Sequence, residues 1–261
     1  MNLPQRNKLQ LHGFNNLTKN FACSAYLLSY VHNTQEQESY NQYINKRFSS
    51  AHLTTLLTEI CHIIGATILN VAQQEYQPQG CSVTLLIADQ NTTAENKSLV
   101  GHLDKSHLCI HTYPETHPVS GINTLRLDIE ISTCGVISPL NAINFILKSC
   151  QADVLTLDYR IRGFTRQLDG KKLFIDHALC SIQDFISDNL HKKYEMLDIN
   201  MAENNFYSTK LIQQDFAINN YLSKHKEDEL GQVELNRISN LLIQERKEIY
   251  YGKNFNSSNE L

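Results

Sequence analysis

No proline follows Pro139, and only two of the ten glycines lie beyond Gly170. Turn punctuation therefore belongs to the first two thirds of the chain, and the last ninety or so residues read differently. No CxxC pair occurs among the seven cysteines, which run from Cys23 to Cys180. That argues against a zinc ribbon, a thioredoxin-like motif and a secreted disulfide framework, and leaves most of the thiols as small buried side chains. Neither GxGxxG nor GxxxxGK[ST] is present, so a Rossmann or P-loop reading has no support. Basic residues do not outnumber acidic ones: 23 Lys and Arg face 27 Asp and Glu, a net charge of −4. No basic face is available for phosphate backbones, and nucleic acid is not expected as a partner. The longest apolar run near the start, Phe21 to Val31, is too short to span a bilayer and lacks the flanks of a signal peptide. No membrane partner is expected, and the expected location is cytoplasmic.

A chain of 261 residues is long enough for one large core, or for a core with an extension. "SSAHLTTLLTEICHIIG" opens with a serine cap, spaces Leu53, Leu56, Leu57, Ile60, Ile63 and Ile64 as one helical stripe, and closes at Gly65. "TILNVAQQEY", "QPQG" and "CSVTLLIA" read as strand, turn and strand of an antiparallel hairpin. "NTLRLDIEIST" alternates, with Leu125, Leu127, Ile129 and Ile131 on one face and Arg126, Asp128 and Glu130 on the other. "SPLNAINFILKS" reads as a helix capped by Ser138 with Pro139 at its first position, and "ADVLTLDYRIRGF" as a returning strand. Helical patterns dominate after Ala178. The expected fold class is α+β: a two-layer α/β sandwich with an antiparallel sheet, helices on one face, and a mainly helical C-terminal extension. Residues 1–177 form the core in this division and residues 178–261 the extension.

The densest chemistry sits in "DKSHLCIHTYPETHP", residues 104–118, where Ser106, His107, Cys109, His111 and Glu115 are gathered. His107, Cys109 and His111 share one face of a strand and are all possible zinc ligands, yet consecutive same-face positions rarely converge on one ion. Ser106 as a hydrolase nucleophile lacks the GxSxG elbow. A structural role for the histidines stays open. So does a third reading, self-processing, in which the Ser106 hydroxyl attacks the carbonyl of Lys105 and a nearby base such as His111 takes the proton. An unperturbed histidine titrates close to neutrality, which suits that role.

"LDKSHLCIHTYPE" closely resembles the processing segment of bacterial S-adenosylmethionine decarboxylase proenzymes, and "STCGVISPL" resembles that family's second signature. The resemblance extends from "LHGFNNLTK" through "YQPQG" and "DYRIRGFTR" to "EIYYGKN", and is closest to the long enterobacterial type. It implies cleavage between Lys105 and Ser106, a β chain of residues 1–105, and an α chain whose first residue becomes a pyruvoyl cofactor. It further implies that His111 promotes the backbone reaction, that Cys134 protonates the substrate α-carbon, that Glu115 receives the ribose hydroxyls, and that Ser98 steadies processing. The implied substrate is S-adenosylmethionine, and the product is the aminopropyl donor for spermidine synthesis. The implied assembly is a tetramer of αβ pairs, with Mg2+ as a further requirement for which the sequence names no ligands.

The implied chemistry is coherent. A decarboxylase needs a carbonyl that can condense with the substrate amine, and self-cleavage is how a polypeptide makes one. An unperturbed cysteine thiol titrates near about 8.5 and is protonated at neutrality, as a proton donor must be. Two other readings remain: a pyruvoyl decarboxylase acting on arginine or ornithine, and an uncleaved regulatory subunit.

Overall fold

The computed structural model describes residues 16–89, 106–117, 120–135, 137–167, 169–175, 177–222 and 230–255. Strand β1 (Thr18–Tyr30) runs through the middle of an eight-stranded sheet, between β5 (Ile122–Cys134) and β6 (Val154–Arg162). Beyond β5 lie β4 (His107–Thr116), β3 (Cys81–Asp89) and β2 (Ala66–Glu75); beyond β6 lie β10 (Phe206–Gln213) and β9 (Tyr194–Asp198). Every neighbouring pair is antiparallel. A small separate hairpin joins β7 (Thr165–Arg166) to β8 (Lys172–Leu173).

The alternation of β5 decides which face is covered. Leu125, Leu127, Ile129 and Ile131 are buried in one cluster with Leu53, Leu57 and Ile60 of helix α2 (Ser50–Ile64) and Ile143, Ile146 and Leu147 of helix α3 (Ile143–Cys150). Each such side chain, wholly removed from water, contributes about 2 kcal/mol relative to exposure. Helix α2 forms as its sequence dictates: the Ser49 hydroxyl accepts the His52 N–H, and Gly65 ends the helix at φ 74°. Helix α1 (Thr34–Arg47) precedes it, and its Asn33 side chain accepts the Glu36 N–H.

Three details depart from the sequence reading. Ser138 does not cap a helix: Pro139–Ala142 form a 3-10 turn ahead of α3, and the Ser138 hydroxyl is 2.9 Å from His177 Nε2 instead. The C-terminal third, mainly helical through α4 (Asp188–Lys193) and α5 (Gln232–Tyr251), also supplies two strands that the sequence reading did not contain, β9 and β10. Seven residue pairs, from Phe206↔Arg160 to Ile212↔Val154, carry the sheet across the division at residues 177 and 178. Finally, α5 lies on the face opposite α2 and α3. Lys210, out of phase with the core residues Thr209 and Leu211, donates from Nζ to the Tyr250 carbonyl of α5 at 3.0 Å.

Helix α5 binds there because that end of the second face is apolar. Ile238 and Leu242 are fully buried against Leu28, Tyr30, Ile122 and Tyr221. Asp153 fixes the junction, accepting the Leu28 N–H at 2.8 Å and the Tyr221 hydroxyl at 2.5 Å. Burial raises its carboxyl above the usual range, and those two hydrogen bonds oppose the rise. The consequence is testable: Leu242→Ala, emptying a site with 0% exposure, is expected to cost about 3 kcal/mol in urea unfolding.

Candidate active site

Ser106 stands immediately before β4 and is 3% exposed. Its hydroxyl oxygen accepts the backbone N–H of Cys134 at 3.2 Å, and its carbonyl accepts the Ile87 N–H at 3.1 Å. The register produces this meeting: His107 faces Ser132, so one step further out the start of β4 lies beside the end of β5. Cys134, half-buried, directs its Sγ to 3.9 Å from the hydroxyl of Thr18, its partner on β1.

The turn after Cys134 is held at several points. Gly135 adopts a left-handed φ of 64°, a conformation glycine takes without strain. The Lys19 Nζ donates to the Gly135 carbonyl at 2.7 Å, from a side chain with 0% exposure. The Thr133 hydroxyl donates to the Ile137 carbonyl at 3.2 Å, and Ser138 meets the buried His177. On the open face next to Cys134, Asn20 donates to the Ser132 hydroxyl at 3.1 Å and receives Arg162 at 2.7 Å. Beyond Asn20 a depression of about 140 Å³ has Ala22 in its floor and Glu130, Asp158 and Arg160 on its walls. Glu130 and Asp158 flank Ala22 in the strand register.

His111 and Glu115 are elsewhere. Five residues of extended strand separate His111 from Ser106 by about 16 Å. Alternation also places them on opposite faces, since Leu108, Ile110 and Thr112 are buried between the half-buried His107, Cys109 and His111. His111 lies on the open face, where its Nδ1 is 3.3 Å from the Tyr76 hydroxyl and its ring stacks on Tyr113. Glu115 is exposed near the far end of β4, opposite Thr124. Within one chain, then, Ser106 and Cys134 are brought together and His111 and Glu115 are not. Lys105 and Ser98 lie outside the described residues. His107, Cys109 and His111 do share a face, but among the described residues no three His, Cys, Asp or Glu side chains converge to hold a metal ion. No ligand set for Mg2+ follows from the described residues, and no step is assigned to it.

Residues 39–163 match the family model described as S-adenosylmethionine decarboxylase. The chain is 47% identical over 258 residues to the S-adenosylmethionine decarboxylase proenzyme of Yersinia enterocolitica, covering 95% of this chain and 98% of that protein. The chain belongs to the S-adenosylmethionine decarboxylase family. The proenzyme of the same name from Pectobacterium atrosepticum is 46% identical over the same shares. The crystal structure of the adenosylmethionine decarboxylase from Aquifex aeolicus aligns with 59% of this chain and 97% of its own at 17% identity and a TM-score of 0.37.

Sequence reasoning missed Lys19 and His177. For Lys19 a signal existed, because it falls in phase with Leu17, Phe21, Cys23 and Ala25, all on the buried side of β1. His177 sits in an irregular segment where no periodicity marks burial.

The cysteines of this family member divide by environment. Burial pushes the Cys61 and Cys150 thiols up to about 12 and raises Cys23 well above the ordinary range, while Cys180 is exposed. Native alkylation at pH 8 followed by peptide mapping should therefore label Cys180 first and Cys134 next, leaving Cys23, Cys61 and Cys150 unmodified until the chain is denatured.

Proposed function

We propose that the chain is made as a precursor that cuts itself between Lys105 and Ser106, and that the pyruvoyl group formed at residue 106 serves the decarboxylation of S-adenosylmethionine. The observation that carries this reading is the Ser106 hydroxyl, buried and held by the Cys134 N–H, with the Cys134 thiol on the adjoining strand. Family membership supports the substrate and the proenzyme state.

The cleavage balances as follows. Ser106 Oγ bonds to the Lys105 carbonyl carbon, the Lys105–Ser106 C–N bond breaks, and the hydroxyl proton passes to the freed amine. Removal of the α-hydrogen of residue 106 then breaks the Cβ–Oγ bond, and Lys105 departs as a carboxylate that carries Oγ with it. Water displaces ammonia from the unsaturated residue left behind, which completes the pyruvoyl group. Oγ gains negative charge in the second stage, as the Cβ–Oγ bond breaks and it leaves in the carboxylate, and the Cys134 N–H faces that oxygen.

The residues around Ser106 fit such a group: the site is buried and has a backbone donor. Once formed, the ketone supplies the electron sink that loss of the substrate carboxylate requires. Cys134 donates the proton to the substrate α-carbon. Glu130 and Asp158 on the walls of the depression suit a sulfonium cation, and the product is the aminopropyl donor for spermidine synthesis.

A depression of about 140 Å³ is smaller than the roughly 300–1,000 Å³ that small-molecule sites usually offer. His111 and Glu115, too far from Ser106 to act on it in the same chain, sit on strand β4, where a second copy brings them to the site. That second copy completes the pocket, His111 of one protomer takes the α-hydrogen of the other, and Glu115 binds the ribose hydroxyls. The tetramer of αβ pairs that the resemblance implies would supply such a second copy.

Intact mass under denaturing conditions is the primary test: two fragments split at Lys105/Ser106 in wild type, one chain in Ser106→Ala. A single chain in both returns the protein to the regulatory-subunit reading, and a cleaved chain active on arginine or ornithine alone changes the substrate. Cys134→Ala retains the backbone N–H, so it is expected to cleave while decarboxylating about 100-fold more slowly. For the shared site, His111→Ala and Ser106→Ala chains expressed separately should both stay intact, whereas co-expression should cleave the His111→Ala chain. Absence of that rescue counts against action between copies.

A further inference from the structure

Lys19 is a charged side chain set wholly inside an apolar strand face. It lies on the apolar face of β1 between Leu17 and Phe21, opposite Thr133 on β5 and Ile161 on β6, with 0% exposure. Burying an ammonium is costly unless its charge and donors are used, and a methionine would fill a similar volume without that cost. One contact of the ammonium among the described residues is the Gly135 carbonyl, at 2.7 Å. That carbonyl belongs to the residue after Cys134, whose own N–H is on the Ser106 hydroxyl. Lys19 and Ser106 therefore flank the same strand end, β5 at Thr133 and Cys134, from its two sides.

Resting on the self-cleavage reading above, we propose that Lys19 is a positioning residue for that reaction, holding the Cys134–Gly135 turn so that the Cys134 N–H stays on Ser106 Oγ. The turn has two other tethers, the Thr133 hydroxyl on the Ile137 carbonyl and Ser138 with His177. Both sit further along the chain, toward α3. Lys19 acts on the residue next to Cys134. Lys19 touches neither reacting bond; its effect passes through the turn.

The test follows the loss of the full-length chain by intact mass in wild type, Lys19→Met and Lys19→Arg, with thermal unfolding of each measured in a Ser106→Ala background so that all chains are uncut. The expected result is cleavage slowed about tenfold or more in Lys19→Met, faster cleavage in Lys19→Arg than in Lys19→Met, and an unfolding midpoint for Lys19→Met within about 3 °C of its parent. The retained midpoint separates positioning from general support of the fold. Wild-type cleavage rates in Lys19→Met, equal rates in the Met and Arg chains, or a midpoint that collapses together with cleavage would each overturn the proposal. A wild-type chain that never cleaves would defeat the underlying reading instead, which keeps the two failures distinct.

Discussion

The pairing of β1 with β5 is the constraint on which the other features rest. Their register runs without interruption from Thr18↔Cys134 to Tyr30↔Ile122. Because strand side chains alternate, a slip of one residue would move Lys19 from the buried face to the open one and carry Thr18 away from Cys134. The same pairing puts Leu125 to Ile131 under α2 and α3, so core packing and site geometry are specified by one set of hydrogen bonds. Site and core cannot drift apart independently.

How much of this was legible depended on whether one face of an element met water. β5 reads cleanly because Arg126, Asp128 and Glu130 line an open face, and α2 reads cleanly because its caps and stripe agree. β1 is harder: Tyr26, Leu28 and Tyr30 are covered by α5 while Phe21, Cys23 and Ala25 face the main core, so alternation fades into a continuous apolar run. β9 and β10 were masked by their surroundings, since both are short strands set among helical patterns. Their membership of the sheet comes from long-range pairing with β6, which no local window contains.

The site shows the same division. Ser106 and Cys134 were found through sequence motifs, and their contact is a product of register. That His111 and Glu115 stand apart from them in one chain was not legible, because closeness along the sequence is misleading in a strand: each residue adds more than 3 Å and reverses the face. A helix would have folded the five residues from Ser106 to His111 into little more than one turn. Here the extended backbone turns a compact motif into two separate contributions on opposite faces of the sheet.

Helix α5 gives that open face an uneven relief. A helix with its side chains is about 10 Å across, the same spacing that two sheets keep when they stack. Where α5 crosses the Tyr26–Tyr30 end, the layer a second sheet would occupy is already filled; toward Thr18, Asn20 and Cys134 no helix among the described residues covers the face. Any flat surface laid on this face would meet the helix at one end and the strands only at the other. The length of α5 then sets how much of the sheet such a surface could reach.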